Sequence, residues 1–107
     1  TETVSVGFRR RASVDEVLEA MRAFRPVTPV DGLPSTPAVT LELEDRADRP
    51  QPRLDLERGG GMAVTIGRVR PCPILDVRFV LLVHNTIRGA AGVAVQDAEL
   101  LVARGLA

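Results

Sequence analysis

An α+β domain built on a mixed, largely antiparallel sheet with a packed helix is the fold class this sequence predicts, and three observations predict it. Four short segments alternate apolar with polar residues or run solidly apolar, as strands do. Two further segments repeat apolar residues at three- and four-residue steps, as helices do. The order is strand, helix, strand, long connection, strand, strand, helix. Strands that follow one another without a crossover helix favour antiparallel or mixed pairing over a doubly wound parallel sheet.

Val4, Val6 and Phe8 alternate with Ser5 and Gly7, giving a first strand with one buried face. Arg9-Arg10-Arg11 ends it, and this charge run is read as a solvated strand end, because phosphate binding recruits a wider basic patch. Ser13-Val14-Asp15-Glu16 has the form of a capping box, in which the Ser hydroxyl accepts from the backbone near Glu16 and Glu16 reaches back. Val14, Val17, Leu18, Met21 and Phe24 then line one face, so the spacing predicts a helix from Val14 to Phe24, stopped by Pro26 and Pro29. Cap and solvent face explain Glu16 and Glu19 better than a catalytic carboxylate pair does. Pro26, Pro29, Gly32, Pro34, Ser35 and Pro37 mark residues 26–37 as a connection.

Val39, Leu41 and Leu43 alternate with Thr40 and Glu42 in a second half-buried strand. Residues 44–61 are polar, proline-broken and glycine-terminated, and so long a connection in a small domain is commonly a functional loop or an interface arm. Its mixed acidic and Arg residues suit pairing across a subunit contact. Gly59-Gly60-Gly61 has no Lys-Ser/Thr after it, which excludes a phosphate-cradling loop of the usual kind. Met62, Val64 and Ile66 make a third strand, broken at Arg68–Pro73. Leu75–Val83 alternates and then turns solidly apolar, as a central strand does. After the polar turn His84-Asn85-Thr86, apolar residues recur at Ile87, Ala90, Ala91, Ala94, Val95, Ala98, Leu101 and Val102, a final helix. Gly89 and Gly92 lie in its first turns, where each costs roughly 1 kcal/mol relative to Ala and so requires a packing reason. The small face of this helix is expected to be free for another surface.

Composition narrows the function. The 107 residues are 45% hydrophobic and 26% charged, as in a globular domain. Fourteen basic residues balance fourteen acidic ones, so no strong field draws nucleic acid or a membrane surface. Every basic residue is Arg, which excludes a lysine Schiff base within the chain. With 3% aromatic residues and neither Trp nor Tyr, there is no platform for stacking bases. A single cysteine, Cys72, excludes an internal disulfide and fits a reducing, cytoplasmic setting. It sits between two prolines, with no histidine or helix start nearby to activate it, and is read as a bystander. No apolar run reaches the roughly 20 residues of a membrane span. The abrupt start at Thr1 suggests a trimmed or partial chain. His84, the sole histidine, directly follows an apolar strand and is read as a strand-end or core residue. No nucleophile–base pair and no metal-ligand spacing is present.

Several stretches together resemble a known family. HNTIRGAAG at 84–92 with QDAELL at 96–101, DRPQPRLD at 48–55 and GMAVTIGRVR at 61–70 are similar to the C-terminal half of aspartate-semialdehyde dehydrogenase of the archaeal and fungal type. TETVSVGF at 1–8 and SVDEVLEAM at 13–21 fit the same order, so the resemblance spans essentially the whole chain. It implies a C-terminal domain like that of glyceraldehyde-3-phosphate dehydrogenase. Residues 1–84 would be part of a dimerisation domain, and residues 85–107 a helix that returns to an N-terminal NADP-binding domain. The homo-oligomer, a dimer or tetramer, would use the arm 44–58 and the strands Met62–Ile66 and Leu75–Val83.

The resemblance further implies an enzyme of lysine, threonine and methionine biosynthesis. It would convert aspartyl phosphate to the semialdehyde through a cysteine thioacyl intermediate and hydride transfer from NADP. The family's catalytic cysteine lies in a Ser-Asn-Cys segment that nothing here matches. Its catalytic histidine lies in a Gly-His-Thr stretch of which Thr1 would be the threonine, one position after the histidine, and the substrate-binding arginine is also upstream. The chain by itself is therefore expected to be inactive. What carries over is cofactor contact at Asn85, with Thr86, Gly89 and Ala90 as neighbours. An amide offers a donor and an acceptor to the nicotinamide carboxamide, and Gly-Ala-Ala permits close backbone approach. The competing reading of Asn85 is a plain helix N-cap, and the two roles can coexist. The alternatives are a fragment of a related malonyl-CoA-type reductase and a stand-alone, non-catalytic dimerisation module.

Overall fold

Four strands form one mixed sheet in the order β1-β4-β3-β2 in the computed structural model, which describes residues 1–26, 28 and 30–107. The strands are β1 (Glu2–Val6), β2 (Leu41–Glu44), β3 (Val64–Pro71) and β4 (Val77–Leu82). β4 pairs antiparallel with β1 and β3, and β2 joins β3 in parallel. The apolar run in β4 thus lies inside the sheet, as its composition predicts. Residues directly opposite in the register share a face. Val4 stands opposite Phe79, Val6 opposite Val77, Ile66 opposite Leu81 and Leu43 opposite Ile66. This common apolar face receives Val17 of α1 (Val14–Arg22), forming a core with Ile66, Val77 and Phe79.

The predicted capping box is present. Glu16 N–H donates to Ser13 Oγ at 3.2 Å, and Ser13 N–H donates to the Glu16 carboxylate at 2.8 Å. α1 stops two residues before the predicted Phe24, because Arg25 precedes Pro26 and a residue before proline is disfavoured in the helical region. Pro29, the second predicted stop, lies outside the described residues. β1 ends at Val6, and Phe8 turns outward with its N–H donated to the Asp76 carboxylate at 2.7 Å. β2 begins at Leu41, leaving Val39 exposed.

Two expectations about the middle of the chain are corrected. β3 does not break at Arg68 but continues to Pro71 through a bulge. Arg68 takes φ 55°, the register shifts between Gly67 and Arg70, and pairing resumes at Arg70–Arg78. A bulge absorbs one extra residue without ending the ladder, and sequence alternation cannot distinguish it from a stop. Residues 44–61 are likewise not one unbroken loop. They form a single helical turn, α2 (Pro52–Asp55), and a 3-10 turn at Arg58–Gly61. Leu41 and Leu43 face the core, so Glu42 and Glu44 project from the opposite sheet face.

Onto that opposite face the segment is fastened by charge. Arg49 and Asp55 are only 6% and 2% exposed and form a two-pronged pair. Gln51 N–H adds a bond of 2.7 Å to Asp55, and Arg58 reaches Glu42 at 2.7 Å, Glu44 at 2.9 Å and Asp55 at 2.8 Å. Arg49, Asp55 and Arg58 thus find their partners within the chain. Hydrogen bonds from Arg49, with help from the Gln51 amide and the Arg58 charge, hold the Asp55 carboxyl far below its ordinary range against the opposing effect of burial. Glu44 is lowered to about 2, chiefly by its bonds from Arg46 and then Arg58. Gly67 completes the fit, since a Cβ there would stand 2.5 Å from the Arg49 carbonyl oxygen.

Candidate cofactor corner

Beyond β4 the chain turns at His84–Thr86 and winds as a π-helix over Ile87–Ala91 before becoming α3 (Gly92–Ala103). Gly89 N–H donates to His84 O at 3.2 Å, Ala91 N–H to Thr86 O at 3.0 Å, and Gly92 N–H to Ile87 O. The predicted helix is thus present, with its first turn one residue wider than an α turn. Single π turns recur at functional sites. Gly92 has the packing reason its position demands: a Cβ would lie 2.5 Å from Met62 Sδ and 2.8 Å from Ile87 Cγ2. Gly61, at φ 81°, lies under the same corner, where a Cβ would meet Ile87 Cδ1 at 2.9 Å and His84 Cδ2 at 3.3 Å.

Asn85, Thr86, Gly89 and Ala90 are all exposed on this corner. Asn85 and Gly89 are brought together, with Asn85 Oδ1 only 3.3 Å from where a Gly89 Cβ would be. The N-cap reading of Asn85 is corrected. Thr86 occupies the cap position, makes no capping side-chain bond, and has helical backbone angles. Among the described residues, the Asn85 amide has no hydrogen-bond partner. His84 sits at the strand end as expected, but with a capping role that sequence reasoning missed. Its Nδ1 lies 3.3 Å from Ile87 N and 3.2 Å from Thr86 Oγ1, and its Nε2 lies 3.7 Å from a Glu57 carboxylate oxygen.

α3 is held by its polar side. Gln96, 5% exposed, donates to Thr36 Oγ1 at 2.8 Å, while Glu99 accepts from Ser35 N–H at 2.9 Å and Ser35 O–H at 2.8 Å. Sequence reading missed these four residues. The available signal was a Gln and a Glu three positions apart on a largely apolar helix. Val95, Leu101, Val102 and Leu106 remain exposed, as expected for a stripe awaiting another surface. Cys72 departs from expectation in one respect: the Leu75 and Ile74 amides in its turn lower the thiol's pKa. It lies far along the sequence from the corner and on a different loop. No group of three or more potential metal ligands exists among the described residues.

A mixed four-stranded sheet carrying one helix, with a second helix leaving it through a glycine-rich corner, defines the class: the chain belongs to the family "Semialdehyde dehydrogenase, dimerisation domain", whose profile matches residues 1–88. Among individual relatives it is 43% identical to aspartate-semialdehyde dehydrogenase of Archaeoglobus fulgidus over 102 residues, which are 95% of this chain and 29% of that protein. It is also 43% identical to the Saccharomyces cerevisiae enzyme over 108 residues, 99% of this chain and 30% of that one. The crystal structure of the Candida albicans aspartate semialdehyde dehydrogenase with NADP superimposes with a TM-score of 0.84 at 39% identity, covering 98% of this chain and 30% of that one. The chain thus spans roughly 30% of the length of the relatives it matches. The resemblance read from its motifs and the expected mixed-sheet fold are both borne out.

Proposed function

We propose that this chain forms the C-terminal part of an NADP-dependent aspartate-semialdehyde dehydrogenase of amino-acid biosynthesis, supplying its dimerisation surface and one wall of its nicotinamide pocket. The observation that carries this reading is the Asn85 amide, exposed and, among the described residues, unpartnered beside a glycine, on a chain of this family. Its N–H2 and carbonyl suit the two ends of a carboxamide, and the absent side chain at Gly89 leaves the amide uncrowded, since a Cβ there would stand 3.3 Å from Asn85 Oδ1. Bound NADP would supply the hydride chemistry. Asn85 would hold the carboxamide, with Thr86 and Ala90 bordering the ring, and this side of the pocket would exclude water. Nucleophile and base belong to segments of the enzyme with no match among these 107 residues. The exposed stripe at Val95, Leu101 and Val102 supports assigning residues 85–107 to contact with the cofactor domain. The strands Met62–Ile66 and Leu75–Val83, with segment 44–58, are assigned to the subunit interface of a cytoplasmic homo-oligomer.

A hybrid tests this directly. Residues 1–107 replace the matching segment of the Archaeoglobus fulgidus enzyme, and turnover of aspartate semialdehyde with NADP and phosphate is measured. The hybrid should be active, and Asn85→Ala should raise its KM for NADP about tenfold, the worth of one well-placed hydrogen bond. An unchanged KM would remove Asn85 from the pocket. The isolated 107-residue chain should show no turnover, and measurable turnover would refute the division of labour.

A further inference from the structure

The start of a helix leaves backbone N–H groups without intrahelical partners, and Asn or Thr side chains ordinarily receive one of them. Here both residue types stand at the start of the winding, and neither does so. Thr86 makes no capping bond and Asn85 points its amide elsewhere, while the Ile87 N–H goes to His84 Nδ1 at 3.3 Å. We infer that His84 is the positioning residue of the corner: an imidazole protonated at Nε2, whose Nδ1 caps the π turn and so leaves the Asn85 amide free for the ligand.

The tautomer follows from the donors. An amide N–H can only donate, so Nδ1 must present its lone pair and the ring proton must sit on Nε2. That nitrogen faces the Glu57 carboxylate at 3.7 Å, the side on which an N–H is favoured. Thr86 Oγ1 lies 3.2 Å from the same Nδ1, and in this tautomer its hydroxyl proton would share that lone pair with the Ile87 N–H. Gly61, at φ 81°, keeps the space beside the ring clear, since a Cβ there would stand 3.3 Å from His84 Cδ2. The main chain of the same residue closes the turn, since His84 O accepts the Gly89 N–H at 3.2 Å. One residue therefore fixes both ends of the segment on which Asn85 and Gly89 stand. Its importance to NADP rests on the function proposed above, whereas its capping role does not.

The test uses the 107-residue chain without cofactor. A two-bond proton–nitrogen correlation spectrum of the His84 ring should show Nε2 protonated and Nδ1 bare; a proton on Nδ1 overturns the inference. Amide exchange at Ile87 is then compared across variants. His84→Asn keeps an acceptor at the δ position and should retain protection. His84→Gln and His84→Ala remove it and should speed exchange about tenfold, the equivalent of about 1.4 kcal/mol. The amides of β3 and β4 serve as the control for folding and should not change. Equal protection in the Asn and Ala variants also overturns the inference, and if no variant folds the tautomer decides alone. Failure of Asn85→Ala to affect NADP in the hybrid would remove the cofactor reading and leave these results standing.

Discussion

Asp55 shows how much one side chain can carry in a small domain. It accepts from Arg49 and from the Gln51 amide and faces Arg58, so its ionised form is strongly favoured in the fold. Glu44 behaves in the same way through Arg46 and Arg58, at about 2 against an ordinary 4.5. Both folded-state values are depressed, so below about pH 4.5 the unfolded chain binds more protons than the folded one. The contribution of this cluster is therefore complete above that pH and is lost as pH falls toward 2. Thermal melts across that interval should show a steep decline in Tm. Asp55→Asn should flatten the decline and lower Tm by several degrees at neutral pH, because Arg49 stays buried opposite a neutral amide. An undiminished slope would mean that other carboxylates set the acid response. At Gly67 the constraint is volume rather than charge. Gly67→Ala forces the Arg49 carbonyl and Pro50 away from the sheet and should destabilise by about 1–3 kcal/mol in urea unfolding.

Among elements, α3 is the one with divided allegiance. Its polar side is tied to Ser35 and Thr36, while Val95, Leu101 and Val102 face outward. Three side-chain bonds restrain it, against the ladder and apolar face that restrain β3 and β4. Local opening should follow that difference. In hydrogen exchange of this chain, residues 92–103 should exchange well before β3 and β4, and equal protection would show that the helix is already docked within this chain or its dimer. The π turn belongs to this scale as well. Ile87, Ala90 and Ala91 announce a helix by spacing, yet periodicity cannot report a turn widened by one residue.

For the molecule as a whole, the sheet was legible because alternation states which face each strand buries, and the capping box because its partners lie three residues apart. Family membership was legible because its motifs recur in order along the whole chain. The candidate site was legible in part: Asn85 and Gly89 do share a surface, whereas His84's capping bond was read only as a strand-end position.

Local chemistry determined the strand and helix segments, the start of α1, the interior place of β4 and the kinship of this chain. Tertiary structure alone decided where the ions pair, that β3 bulges instead of stopping, and that the corner winds as a π turn. Segments far apart in sequence meet at each of them: Met62 against Gly92, Arg49 against Gly67, Arg58 on Glu42. A sequence states the local preferences of a residue, but the volume and charge around it exist only once distant segments meet.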